Sequence, residues 1–201
     1  MRLAMMAIGL ALLAGAAQAQ VPAQAKPPGA RYVAYANDPH WVVDPLSKCA
    51  IYNTRPDPAL TVRWSGRCVD GMADGQGTIV YSRSNRFAAK YEGGVSGGAR
   101  NGRGVYYAAN FDQLSVNWKD GLAEGPGEWT YGDRSRFSAV YYRGEARGEG
   151  RYHQGDWEYI GPLNGLGQAY FRGGSPRPAR LAYVAFQQPK LLNPDGSPFA
   201  F

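Results

Sequence analysis

The chain has 201 residues, 44% hydrophobic, 13% aromatic and 19% charged, with a formal net charge of +6. Its aromatic content argues against a disordered chain, and its 27 glycines and 14 prolines against long helices, while suiting short strands joined by turns. The mildly basic balance favours encounter with anionic lipid, anionic glycan or acidic protein surfaces and says nothing about fold.

The first segment, "MRLAMMAIGLALLAGAAQAQ", has the parts of a secretory signal. Arg2 is the positive start, Leu3 to Ala17 an apolar run, and Ala17-Gln18-Ala19 a small-x-small cleavage site. The expectation is an exported protein, periplasmic or extracellular, cut near Ala19-Gln20. Losing Arg2 lowers the formal charge by one, and nucleic acid is not an expected partner in that compartment. No later stretch reaches the roughly 18–20 apolar residues of a spanning helix. Residues 20–30, "QVPAQAKPPGA", read as a flexible Pro/Ala-rich tether.

Residues 31–61 read as an N-terminal cap containing "WVVDPLSKCAIYN" (41–53). The only two cysteines are Cys49 and Cys68. In an oxidising compartment such a pair predicts a disulfide. It closes a loop of about 20 residues, valued at roughly 3 kcal/mol by chain entropy. Neither C-x-x-C spacing nor a neighbouring histidine supports a redox or metal role.

From residue 62 to 172 the chain repeats itself. The pattern G-x-x-x-G-x-G starts at Gly71, Gly98, Gly121, Gly144 and Gly161, at spacings of 27, 23, 23 and 17 residues. Large residues fall at every second position before the triplets, as in Leu114-Val116-Trp118 and Phe137-Ala139-Tyr141. Short apolar segments follow them, such as "TIVY" (78–81) and "EWTY" (128–131). Each unit therefore reads as a β-hairpin. Asp70-Gly71 and Asp120-Gly121 suit tight turns that need positive φ. The later two glycines are expected to let hairpins approach closely. A lone hairpin is marginal in water, so each must bury its face on the next. The prediction is an all-β fold: an elongated single-layer antiparallel sheet of about five stacked hairpins. Trp64, Tyr91, Val95, Trp118 and Tyr141 would lie in its core or on its concave face.

"YEGGVSGGARNGRGVYY" (91–107) and "LSVNWKDGLAEGPGEWTY" (114–131) resemble MORN repeats, whose pattern is approximately Y-x-G-x-W-x-x-G-x-x-x-G-x-G. Tyr91, Gly93, Gly98, Gly102 and Gly104 match it, with Val95 at the tryptophan position. Trp118, Gly121, Gly125 and Gly127 match in the next unit, while Leu114 and Val116 replace the leading Y-x-G. The fifth unit is shortened, with Trp157 and Tyr159 on the opposite parity. The resemblance implies a protein-interaction or phospholipid-associated segment, an analogy that repeat architecture alone does not establish. Counting back three from Gly71 places Cys68 where the third unit has Trp118, so the half-cystine is expected to point inward. The disulfide would then pin the cap onto the exposed end of the first hairpin. Residues 173–201 read as a C-terminal strand and tail, with "RLAYVAFQ" (180–187) covering the other end.

Chemistry-bearing motifs are sparse. Gly97 to Gly102 has phosphate-loop spacing, but Arg103-Gly104 follow where Lys-Ser/Thr is required, and no helix follows. His40 and His153 are lone histidines, Glu145 and Glu149 sit in turns, and no serine has a nucleophile-elbow context. No metal or cofactor is expected, and the chain reads as a non-enzyme. "YSRSNRF" (81–87) and "YGDRSRF" (131–137) place Arg83, Arg86, Arg134 and Arg136 on equivalent connections. They form a candidate anion-binding rim for phosphate or carboxylate groups, or simply solubilising charge. The candidate binding face is Trp64, Tyr91, Trp118 and Tyr141. The leading reading is an exported scaffold that binds a protein partner or an anionic envelope component, peripheral membrane contact included. Its rivals are an envelope enzyme with chemistry outside the repeats, and a structural spacer whose aromatics are all core.

Overall fold

The computed structural model describes residues 38–172 and 174–200. The expected signal segment (1–19), the expected tether (20–30) and residues 31–37 of the expected cap lie outside the described residues. A small hairpin, β1 (Trp41–Val43) and β2 (Ala50–Tyr52), comes first. Strands β3 (Leu60–Trp64) and β4 (Arg67–Val69) follow end to end, and both pair with the long β5 (Met72–Arg83). From there the chain meanders. The strands are β6 (Arg86–Ser96), β7 (Ala99–Ala108), β8 (Gln113–Lys119), β9 (Leu122–Thr130) and β10 (Arg136–Tyr142). They continue as β11 (Glu145–Gln154), β12 (Trp157–Pro162), β13 (Leu166–Phe171), β14 (Arg177–Ala182) and β15 (Lys190–Leu192). Each from β5 onward is antiparallel to the next, and β2 joins β5 in parallel at Ala50–Met72. The sheet is open, elongated and mostly antiparallel. Among the described residues no helix is long and apolar enough to cross a membrane.

The third unit shows why this sequence forms hairpins. Along β8, Leu114, Val116 and Trp118 are buried while Gln113, Ser115, Asn117 and Lys119 are exposed. Asp120 (φ 49°) and Gly121 (φ 83°) then make a two-residue turn with both φ values positive, the turn whose twist matches the flanking strands. The two later glycines have different jobs. Gly125 (φ 80°) has open space where a Cβ would stand. It lies in a bulge: Val116 pairs with Gly127 but Asn117 with Glu124. A Cβ on Gly127 would stand 2.6 Å from Val116 Cγ2 and 3.1 Å from Tyr141 Cδ2. Close approach therefore explains only the third glycine of the triplet, and backbone conformation explains the second. Gly102 and Gly104, and Gly148 and Gly150, divide the same way.

The turn glycines also join unit to unit. Gly98 N–H donates to the Ala73 carbonyl (2.8 Å), Gly121 to Arg100 (3.0 Å) and Gly144 to Ala123 (2.9 Å). In the fifth unit this series stops, because the glycine spacing recurs there without the roles. Gly161 stands two residues after Tyr159, as Gly93 stands after Tyr91. Each tyrosine hydroxyl donates to the carbonyl three residues on, Gly94 and Pro162, both at 2.9 Å. The turn instead uses Asn164 (φ 57°), and Gly167 packs on the Tyr159 phenol as Gly104 packs on Tyr91. Tyr159 is thus the counterpart of Tyr91, which accounts for its parity.

A single layer cannot bury its own inner face, and here both end segments fold across it. On one side the Cys49–Cys68 disulfide (Cα–Cα 5.7 Å) ties the residue before β2 to β4. Cys68 pairs with Ala73 as Trp118 pairs with Ala123, so the expected equivalence of position holds. Cys68 shares the inner face of buried Ala73 and bonds to buried Cys49, but β4 is an edge strand, so Cys68 itself stays exposed. On the other side Tyr183, Phe186 and Phe199 pack on Phe137, Trp129 and Trp157, with ring centroids 5.0, 6.3 and 5.0 Å apart. Residues read as a tail therefore carry β15 and put Leu191 and Phe199 in the core. The two end segments meet where the Arg55 guanidinium lies 4.3 Å above the Phe186 ring.

Candidate functional site

Where the end segments bridge the inner face they leave a cavity of about 630 Å³. Its floor is the inward row of the hairpins, including Tyr81, Leu114, Trp118, Trp129 and Tyr141, and its walls are residues 53–57 with Tyr183, Ala185 and Phe186. Arg55, Arg83, Arg100 and Arg143 line it, against two carboxylates, Asp57 and Glu145. The cavity is thus aromatic and carries a positive excess.

Arg100 arises from an exchange within the repeat. Trp118 lies across from Ala123, and Tyr141 from Ala146, a large residue facing a small one. In the second unit the pair is Val95 and Arg100. The small residue has moved to the first strand, which leaves room for a long cation on the second. The Arg100 guanidinium lies 4.2 Å above the Trp118 ring, with the Tyr91 and Tyr106 rings at 5.9 and 6.0 Å. One terminal nitrogen donates to the Gly121 carbonyl (2.6 Å). Its Nε is buried without an acceptor. None of the ion pairs among the described residues includes Arg100. A guanidinium boxed by aromatics and left without a carboxylate has unspent hydrogen-bonding capacity.

Tyr141 is the second such group. Its side chain is buried, and its hydroxyl has no hydrogen-bond partner. The Trp129 indole N–H lies beside the phenol oxygen without hydrogen-bond geometry, so the hydroxyl hydrogen still lacks an acceptor. Burial raises the Tyr141 pKa above the usual phenol range. Burial also raises Tyr81 and Tyr106, partly opposed by the Arg100 charge. All three are therefore neutral hydroxyl donors at ordinary pH.

The residues singled out from sequence fall in different places. Trp64 and Tyr91 are core: Trp64 packs against Gly77, and Tyr91 against Gly104 and Trp118. Trp118 and Tyr141 are equally buried yet line the cavity. The four make no open face. Arg83 lines the cavity with its Nε 2.8 Å from the Asp57 carboxylate, while its side chain stays largely exposed. Arg86, Arg134 and Arg136 are exposed on the outer edge. The two arginine pairs sit four strand spacings apart, about 19 Å, too far for one small anion. His40 hydrogen-bonds Asp38 and stacks on Tyr52, and Glu145 pairs with Arg147. Among the described residues no cluster of His, Cys, Asp and Glu could hold a metal ion.

Sequence reasoning missed Arg55 and Arg100. A signal for Arg100 existed. Two residues after the turn glycine, units one, three and four have Ala73, Ala123 and Ala146, and unit two has an arginine. No protein-family model matches the chain, and no curated protein matches it.

Proposed function

We propose that this is an exported, non-enzymatic binding protein of MORN-like hairpin repeats, and that its binding site is the roofed cavity rather than an open aromatic face. One observation carries the reading. The cavity holds a guanidinium with no carboxylate partner and a buried phenol with no acceptor, and buried polar groups are ordinarily satisfied. A spacer whose only task is to pack has no use for either group. The volume lies in the range of small-molecule sites, which combine apolar walls with a few placed polar groups. The signal-like start and the disulfide support an oxidising compartment.

The test is recovery of whatever the cavity carries. The full chain and its Leu122→Trp variant, which places an indole in the cavity, are purified natively from envelope or secreted fractions. Bound species are then identified by mass spectrometry after denaturation. The expected result is a species stoichiometric with the parent chain and absent from a variant that melts normally. Identical profiles from both proteins would remove the cavity from the function.

A further inference from the structure

Resting on that reading of the cavity, we propose that its ligand is a monocarboxylate carried on an aromatic or apolar body. Arg100 is the anion-binding residue, and the Tyr141 hydroxyl donates to a further acceptor on the same ligand. Arg100 is the only lining arginine that is stacked on a cavity-floor ring and at the same time has a buried nitrogen without a partner. Arg83 is taken by Asp57, and Arg55 is spread over Phe186. With Nη2, the terminal nitrogen on the Nε edge, held by the Gly121 carbonyl, Arg100 is fixed in orientation, and its other terminal nitrogen is left to donate to an oxygen acceptor. Of the lining arginines outside the ion pairs, Arg55, Arg100 and Arg143, only Arg100 is stacked on a floor ring, and one guanidinium there matches one negative charge.

The rest of the ligand follows from the walls. Tyr81, Tyr106, Trp118 and Trp129 present ring surface, and rings or alkyl groups gain most from such contact. The neutral Tyr141 hydroxyl offers a proton where burial disfavours its ionisation, so it serves as a donor to a carbonyl, hydroxyl or carboxylate oxygen. Both groups lose an unsatisfied state when the ligand enters, and that gain is absent for an uncharged analogue of the same shape.

The test uses three probes on one ring system: 2-naphthoate, 2-naphthalenemethanol and 2-naphthyl phosphate. The full-length exported chain is titrated by calorimetry and by quenching of its tryptophan fluorescence. Naphthoate is expected to bind saturably, about tenfold or more tighter than the alcohol. Arg100→Gln should weaken naphthoate by about tenfold or more and leave the alcohol unchanged, with Arg100→Lys between, because it keeps the charge without the planar fork. Tyr141→Phe should weaken naphthoate by roughly three- to tenfold. Combined Arg86→Gln, Arg134→Gln and Arg136→Gln, all on the outer edge, should change nothing. Melting temperatures identify any variant that fails to fold, and Arg100→Lys and Tyr141→Phe stand in if Arg100→Gln does. An alcohol that binds as tightly as naphthoate, or no saturable binding of any probe, overturns the anion assignment. So does naphthoate binding insensitive to Arg100. Tighter, Arg100-dependent binding of the phosphate overturns the monocarboxylate in favour of a phosphate. The cavity reading itself stands or falls separately, on the native ligand recovered from the parent chain but not from Leu122→Trp.

Discussion

Gly125 and Gly127 stand two residues apart on one strand and are glycine for unrelated reasons. Gly125 sits at φ 80° in open space, so the cost of a side chain there is conformational. Gly125→Asn, a residue that tolerates this region, should cost under about 1 kcal/mol in urea unfolding. Gly127 faces Val116 and Tyr141 at sub-contact distance. Gly127→Ala should cost about 2–3 kcal/mol by overpacking, and equal losses at the two sites would refute the division of roles. The cavity groups obey a different logic. Tyr141→Phe removes a buried hydroxyl that no protein group satisfies, so without ligand it should melt at the same temperature as the parent or higher, by up to about 1 kcal/mol in stability. The turn glycines were readable in the sequence because positive φ is a demand of the residue itself. The third glycine was readable as a close approach. Arg100 was readable only as a departure from the alanines in register with it.

Asp44 holds the N-terminal segment to the first hairpin. Its carboxylate accepts from the Trp64 N–H (3.0 Å), the Leu46 N–H (2.9 Å) and the Ser47 hydroxyl (2.7 Å), with Arg63 at 3.3 Å. Burial alone would raise its pKa, but these donors outweigh burial and hold it at about 2, below the ordinary 3.8. A lowered folded pKa means that the unfolded chain takes up the proton first. Asp44 therefore stabilises fully above the unfolded pKa, and its contribution falls as pH drops from about 4 to about 2. Asp44→Asn should cost about 1.5–3 kcal/mol at neutral pH and flatten the acid limb of a melting-temperature profile over that window. At the other end Gln188 reaches the Asp133 carboxylate (2.8 Å), the Ser135 hydroxyl (2.9 Å) and the Tyr152 hydroxyl (3.0 Å). Gln188→Ala should speed amide exchange in residues 183–192 and cost about 1–2 kcal/mol. If exchange there stays at the parent rate, the clasp is not what holds this segment.

At the scale of the molecule, repeats that contact only their neighbours are closed by two long-range straps. Removing residues 183–201 should expose Trp129, Phe137 and Trp157, bind a dye for apolar surface, and lower the melting temperature by far more than a disordered tail would. A truncated chain that melts like the parent would show the strap to be dispensable. The sequence by itself determined the strands, the turns, the repeat and the disulfide pair. Each rests on a local rule: period-two burial, positive φ at fixed offsets, or two cysteines with no other partner. Only the tertiary structure decided that the aromatic row is covered, that Cys68 stays exposed on an edge strand, and that a cavity remains beneath Arg55 and Phe186. These depend on which distant segment lies on which face. Residues 53–57 and 183–186 meet because an open sheet must have its apolar side covered, and no local period records where that cover comes from.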